Sequence, residues 1–108
     1  MTEAYLLIDL SSGAVRAYVV TPDGQKRAQK SCAIHNVRDP KYADALSFDP
    51  NLLQQNLISV CAEAVAAAGE VCIVAVSATS AREGIVLLDA DNRPLGGYPN
   101  IDNRGQAW

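Results

Sequence analysis

Two runs of apolar residues, over residues 4–10 and 14–20, open the chain. Their length and their content of Leu, Ile, Val and Tyr are typical of β-strands. Only residues 11–13 separate them, so we expect a tight hairpin in which Gly13 supplies the positive φ that such turns often require.

A third run, over residues 25–34, is more polar. Residues 21–24 before it carry proline and glycine at the positions where a turn favours them. The lysine, arginine and glutamine side chains of this run suit an exposed sheet edge. Residues 36–47 show little periodicity, and we expect a loop there with a short helical turn around Tyr42 to Leu46.

Apolar residues then recur at helical spacing. Asp49 can cap the start of this helix, Pro50 suits its first position, and Gly69 lies just beyond its end. We expect the apolar stripe to cover one face of a sheet. The stripe consists of Leu53, Leu57, Val60, Cys61, Ala64, Val65 and Ala68.

The β-branched run over residues 71–76 predicts a strand that is buried on both faces and parallel to a neighbour. A right-handed crossover through the helix would join the first strand to it. Residues 85–89 and 95–98 are expected to form a second hairpin. The order β-β-β-α-β followed by a hairpin predicts an α/β or α+β fold with a mixed sheet layered by helices, of which we favour α/β.

Composition and charge limit the possible partners. The 108 residues allow at most one domain, and their apolar fraction of 49% is ordinary for a globular protein. A net charge of −3 argues against nucleic-acid binding, which needs a basic surface. The first residues do not resemble a signal peptide and no run is long enough to span a bilayer, so we expect no membrane partner.

The three cysteines are odd in number and lie in apolar surroundings, which favours free thiols in a reducing cytoplasm. The chain has one histidine and no Cys-x-x-Cys pair, which argues against a zinc site.

The first group of candidate functional residues lies where the leading strand ends. Asp9 closes the apolar run, and Ser12, Gly13 and Arg16 follow it. A carboxylate can hold Mg²⁺ through water, while turn amides and a guanidinium can bind phosphate oxygens. The alternative is a plain hairpin in which Asp9 closes the turn by hydrogen bonding.

The second group follows the strand at residues 71–76, where ligands collect in open α/β sheets. Arg82 and Glu83 would offer donors and acceptors to vicinal hydroxyls, and Gly84 would allow close approach. The alternative is a surface ion pair of little energetic consequence. A third group, Asn100, Asp102 and Arg104, follows the second hairpin, and we expect it to be either functional or a solvated loop.

Residues 5–20, which hold the first group, resemble the opening phosphate-binding hairpin of the FGGY family of carbohydrate kinases. This family belongs to the actin, Hsp70 and hexokinase superfamily, which has a ribonuclease-H-like core. A second stretch of this chain, from Ile73 to Arg104, resembles the segment that follows the hairpin in the same family. Residues 1–108 therefore align in order with the N-terminal part of the family's first domain. The matching residues in that stretch are Ile73–Ser77, Arg82–Gly84, Val86–Asp89, Arg93, Pro94, Asp102 and Arg104.

The resemblance implies an ATP-dependent kinase that phosphorylates a hydroxyl of a sugar or polyol. Asp9 would help to place Mg²⁺ and ATP, while Ser12, Gly13 and Arg16 would address the phosphates. Ser11 departs from the family pattern, which has glycine there, so weaker nucleotide binding is an open possibility.

The resemblance also implies roles for the second and third groups. Arg82 and Glu83 fall where glycerol kinases place an arginine-glutamate pair on substrate hydroxyls, and Asp102 would shape the sugar pocket. Family members are several times longer, and their general base and their adenosine-binding second domain lie beyond Trp108. We therefore expect an incomplete first domain that is inactive by itself and that exposes apolar surface along the helix and near Trp108, which would favour a homo-oligomer.

Two other functions remain open. One is a non-catalytic nucleotide- or partner-binding module of the same superfamily, which the serine at position 11 would suit. The other is a ribonuclease-H-like nuclease with Asp9 as its first metal ligand, although only Glu83 and Asp102 offer further carboxylates.

Overall fold

A computed structural model describes residues 1–42, 44–82 and 84–103 of the chain. The first three strands form an antiparallel meander, as the apolar runs predict. They are β1 (Thr2–Leu10), β2 (Ala14–Val20) and β3 (Lys26–Ala33). The side chains of β3 are mostly exposed, which confirms the predicted polar edge.

The segment expected to be a loop contains two short strands, β4 (Val37–Arg38) and β5 (Leu46–Ser47), which pair antiparallel. The expected helical turn is therefore wrong in its second half, because Leu46 belongs to a strand. A turn precedes it, in which the N–H of Ala45 donates to the carbonyl of Tyr42 at 3.1 Å. Such two-residue ladders are too short to leave a periodic signal in the sequence.

The predicted helix is confirmed as α1 (Pro50–Ala67). The Asp49 carboxylate accepts hydrogen bonds from the N–H groups of Asn51 and Leu52, at 2.9 and 3.4 Å. These bonds satisfy two of the donors that every helix start leaves free. Gly69 follows the helix with a φ of +82°, a conformation that favours glycine.

The strand after the helix, β6 (Val71–Ser80), is longer than the run 71–76 predicts. It lies parallel to β1, which confirms the expected parallel neighbour, and the sheet has the order β3-β2-β1-β6. The expected burial on both faces is wrong, because only Val71 is buried and the strand is mostly exposed from Cys72 onward. Helix α1 packs mainly on β2 and β3, so it leaves most of β6 uncovered beyond Val71.

The core lies between α1 and one face of the sheet. Alternate residues of each strand contribute to it, as the period of two in a strand requires. Its buried members are Ala4, Leu6, Ala17, Val19, Val60, Ala64, Ala68 and Val71, with Leu53 and Leu57 of the predicted stripe only partly buried. The guanidinium of Arg27 donates to the carbonyl of Ala68 at 3.2 Å, which fastens β3 to the end of the helix.

The second hairpin consists of β7 (Ile85–Leu88) and β8 (Pro94–Tyr98), close to the predicted bounds. It is joined to the rest of the molecule at Gly97, whose carbonyl accepts from the N–H of Phe48 at 2.9 Å. A Cβ atom at Gly97 would collide with the Phe48 ring, so this contact requires glycine. Within the described ranges, no helix has the length and apolar character needed to cross a membrane.

Candidate functional site

The turn between β1 and β2 is closed by the side chain of Ser11. Its Oγ accepts from the N–H groups of Gly13 and Ala14, at 3.3 and 3.1 Å, and donates to the carbonyl of Ala14 at 3.2 Å. The backbone N–H of Ser11 donates to the same carbonyl at 3.0 Å. Gly13 does not adopt the expected positive φ, because the serine side chain closes the turn in place of a left-handed glycine.

Asn36, which follows β3, stabilises this turn by a side-chain hydrogen bond. Its Nδ2 donates to the carbonyl of Ser12 at 2.9 Å, and the N–H of Ile34 donates to the carbonyl of Gly13 at 2.9 Å. The Oδ1 of Asn36 is buried and has no hydrogen-bond partner among the described residues. Sequence reasoning missed Asn36, because a polar residue 24 positions from its partner carries no local signal.

Asp9 and Arg16 stand directly opposite each other on β1 and β2. The carboxylate Oδ2 and the guanidinium Nη1 are 3.6 Å apart, and the side chains are 39% and 38% exposed. The flanking residues Ile8 and Ala17 belong to the face that packs on the helix, so Asp9 and Arg16 lie on the opposite face. Asp9 thus pairs with Arg16 across the two strands, while the side chain that closes the turn is that of Ser11.

The strand that carries the second group lies directly beside the turn. The pairing of β1 with β6 sets Leu10 against Ser80, and the N–H of Ala81 donates to the carbonyl of Leu10 at 2.6 Å. Residues 77–80 belong to this strand, whereas the sequence placed them beyond its end. Arg82 is exposed, and Glu83 lies outside the described residues.

Asp102 is half-buried and contacts the short strand β5. Its Oδ1 accepts from the N–H of Leu46 at 2.6 Å, and the N–H of the next residue, Asn103, donates to the carbonyl of Asp44 at 2.7 Å. This segment is therefore tied to the fold and is not a solvated loop. Arg104 and Trp108 lie outside the described residues.

A cavity of about 180 Å³ is lined by residues from each of the three segments that carry the candidate groups. The turn contributes Ser11 and Ser12, the end of β6 contributes Ser80, and the third group contributes Asn100. Most of the remaining wall is apolar. Of the predicted site residues within the described part of the chain, Ser12, Gly84 and Asn100 line this cavity, whereas Asp9 and Arg16 face the other side of the sheet.

The residues suit a metal ion that binds together with the phosphates of a ligand better than an ion that the protein alone coordinates. Among the described residues, no three His, Cys, Asp or Glu side chains converge. Mg²⁺ is commonly held by one or two carboxylates together with phosphate oxygens and water, and the half-exposed carboxylate of Asp9 suits that role. A Cβ atom at Gly13 would meet nothing within 4 Å, so the backbone there is open to a ligand. The nuclease alternative, which needs several converging carboxylates, receives no support from the described residues.

Comparison with known proteins relates the chain to sugar kinases. It is 32% identical over 106 residues to YoaC of Bacillus subtilis strain 168, which is named as a sugar kinase, covering 98% of this chain and 22% of the relative. It is also 32% identical over 103 residues to the autoinducer-2 kinase of Escherichia coli strain SMS-3-5, covering 93% of this chain and 19% of the relative. The chain thus spans about a fifth of the curated relatives that it matches. No protein-family model matches the chain.

Solved structures show the same fold. The gluconate kinase of Lactobacillus acidophilus has a TM-score of 0.88 at 16% identity, over 99% of this chain and 21% of that one. Plasmodium falciparum glycerol kinase with ADP has a TM-score of 0.85 at 18% identity, over 98% and 22%. The xylulose kinase of Rhodospirillum rubrum has a TM-score of 0.83 at 22% identity, over 94% and 21%.

These findings define first a fold and then a group of similar proteins. The described residues have a mixed sheet covered by helix α1, and this fold is shared with part of the gluconate, glycerol and xylulose kinase structures. The curated relatives are sugar kinases, which confirms the resemblance to the FGGY carbohydrate kinases seen in the sequence.

Proposed function

We propose that this chain is the phosphate-binding N-terminal part of an ATP-dependent kinase that phosphorylates a hydroxyl of a sugar or polyol. The observation that carries the proposal is the β1–β2 hairpin, which presents Asp9, Arg16 and the turn at residues 11–13 beside the end of β6. The relation to sugar kinases supports the same activity.

The hairpin residues would hold the polyphosphate of ATP. Asp9 is exposed enough to take a water ligand of Mg²⁺, and that ion would neutralise charge on the phosphates. Arg16, Ser12 and the open backbone at Gly13 would bind phosphate oxygens. The present ion pair between Asp9 and Arg16 keeps both side chains at the site before a ligand arrives.

The acceptor would lie beside the turn, beyond the end of β6, where the N–H of Ala81 donates to the carbonyl of Leu10. Arg82 and Glu83 would bind its hydroxyls, and Asp102 would hold the segment that shapes its pocket. Because the chain spans about a fifth of its relatives, we expect residues 1–108 alone to lack turnover, with the general base and the adenosine site supplied elsewhere.

The cysteines are consistent with the cytoplasmic setting that we propose. Cys32, Cys61 and Cys72 are all free thiols. A reducing compartment keeps thiols in this state.

The replacement of Asp9 by asparagine tests the kinase proposal, in a protein that carries this chain and the rest of the kinase. We expect ADP formation with the acceptor that the wild type uses, chosen from glycerol, xylulose and gluconate, to fall about a hundredfold or more, because charge stabilisation of the phosphates is lost. Asp91→Asn, in the exposed turn of the second hairpin, is the matched control and should keep wild-type activity. Full activity of Asp9→Asn, or no ADP formation by the wild type with any acceptor, would contradict the proposal.

A non-catalytic binding module is the second candidate, because the Ser11 hydroxyl occupies N–H groups of the turn that a phosphate would need. Titration calorimetry with Mg-ATP on the same protein separates the two. A kinase binds the nucleotide and consumes it with an acceptor, whereas a module binds a ligand without turnover.

A further inference from the structure

The Ser11 hydroxyl accepts hydrogen bonds from two backbone N–H groups of the turn between β1 and β2. Its oxygen accepts from the N–H of Gly13 at 3.3 Å and from the N–H of Ala14 at 3.1 Å. An oxygen that accepts two successive N–H groups of a turn sits where an anion oxygen binds in backbone nests.

We propose that Ser11 is an internal competitor for phosphate and thereby lowers the affinity of this turn for polyphosphate. The inference rests on the proposed function, because it assumes that this turn binds the phosphates. A phosphate oxygen can accept from Gly13 and Ala14 only after the Ser11 hydroxyl has rotated about the Cα–Cβ bond to another staggered position.

The surrounding contacts allow the side chain to move while the backbone stays fixed. Asn36 holds the carbonyl of Ser12, and Ile34 holds the carbonyl of Gly13, each at 2.9 Å. Neither bond involves the hydroxyl of Ser11. A Cβ atom at Gly13 would meet nothing within 4 Å, so no side chain covers this glycine on that side. The exchange therefore requires rotation of the Ser11 side chain and leaves the two backbone contacts in place.

A charged phosphate oxygen is a stronger acceptor than a hydroxyl, so it can displace the serine. The displacement still gives up the contacts of the hydroxyl with the N–H groups and with the carbonyl of Ala14 at 3.2 Å. These hydrogen bonds are long, and their net contribution to the free energy corresponds to about a fivefold loss of phosphate affinity.

The 108-residue chain, labelled with ¹⁵N, tests the inference by titration with magnesium tripolyphosphate while the amide signals of Gly13 and Ala14 are followed. Ser11→Ala removes the hydroxyl, and we expect it to bind about fivefold more tightly than the wild type. Ser11→Thr keeps a hydroxyl and should retain wild-type affinity. Ser59→Ala, on the exposed face of α1, is the control and should also bind as the wild type does.

The outcomes separate this inference from the proposed function. Equal or weaker binding by Ser11→Ala, with binding by the wild type intact, would overturn the inference and leave the phosphate site standing. No binding by the wild type or any variant would overturn both. If Ser11→Ala does not fold, the wild type alone provides the test. The NMR scalar couplings that report the Ser11 χ1 angle must change when the wild type is saturated with magnesium tripolyphosphate. Unchanged couplings would overturn the inference.

Discussion

The carboxylate of Asp23 holds the turn between β2 and β3. It accepts a hydrogen bond from the hydroxyl of Thr21, a buried residue, and the N–H of Gly24 donates to the carbonyl of Thr21 at 2.8 Å. The Thr21 hydroxyl, followed by the backbone of Gln25, lowers the pKa of Asp23 below its usual 3.8.

This lowered pKa predicts a pH dependence of stability. Because the unfolded chain binds the proton more readily, the stabilisation is complete above pH 3.8 and is lost as the pH falls through the lower pKa of the folded state. We expect Asp23→Asn to be less stable than the wild type at pH 7 and to approach it as the pH falls through the lowered pKa of Asp23, as measured by urea unfolding at each pH. Thr21→Val removes the main donor and should weaken the same pH dependence. A difference between Asp23→Asn and the wild type that stays constant with pH would contradict this assignment.

The sequence predicts some features of the candidate site residues but not others. Asp9, Ser12, Gly13 and Arg16 could be assigned to one hairpin because they are close in sequence and the chain resembles a known family. The way in which the Ser11 hydroxyl closes the turn could not, because a serine side chain can bond to several nearby backbone groups and only the coordinates select among them. The contact of Asp102 with β5 joins residues 56 positions apart, which no local pattern reveals.

Among the elements, helix α1 has the clearest boundaries. Asp49 caps its start, and Gly69 follows its end in the left-handed region at φ +82°. The sequence predicted both boundaries because each depends on the local chemistry of one residue.

Alanine substitutions at Gly69 and Gly13 test the assignment of the helix end, because Gly69 has a positive φ and Gly13 does not. Gly69→Ala should lower the free energy of unfolding by about 1–2 kcal/mol, because the left-handed conformation strains an L-residue. Gly13→Ala is the matched control, since Gly13 lacks a positive φ and a Cβ atom there meets open space. We expect its unfolding midpoint in urea to equal or slightly exceed that of the wild type. Equal losses of unfolding free energy in Gly69→Ala and Gly13→Ala would contradict the assignment.

The strand β6 was predicted with the correct direction and neighbour but with the wrong burial. A continuous β-branched run indicates a strand with apolar surroundings. In the structure α1 covers β2 and β3, so Val76 of β6 remains 60% exposed. Burial depends on which elements cover a strand, and that information does not lie within the strand itself.

For the molecule as a whole, the large apolar side chains that the described residues expose are most numerous in the second hairpin. The sequence placed exposed apolar surface along the helix and near Trp108. The helix does expose Leu52 and Ile58, and Trp108 is outside the described residues. β6 exposes Val74 and Val76 and is also an edge of the four-stranded sheet. Unpaired strand edges promote association between chains.

We therefore expect the 108-residue chain to self-associate through β6. Val76→Lys places a charge on this strand and should shift sedimentation velocity profiles toward the monomer. Ile58→Lys is the matched control, because it adds the same charge at a similarly exposed position on the helix, and it should leave association unchanged. A monomeric wild type, or dissociation by Ile58→Lys alone, would contradict this expectation.

The most direct test of the central claim, that the β1–β2 hairpin holds a metal-bound polyphosphate, is paramagnetic broadening by Mn²⁺ in place of Mg²⁺. The ¹⁵N-labelled chain would be titrated with tripolyphosphate and a trace of Mn²⁺. We predict the strongest loss of amide signal at Asp9, Ser12 and Gly13, with little change at Gly24 and Gly69, which lie at the opposite end of the sheet. Broadening that is uniform, or that centres on Gly24 or Gly69, would contradict the claim.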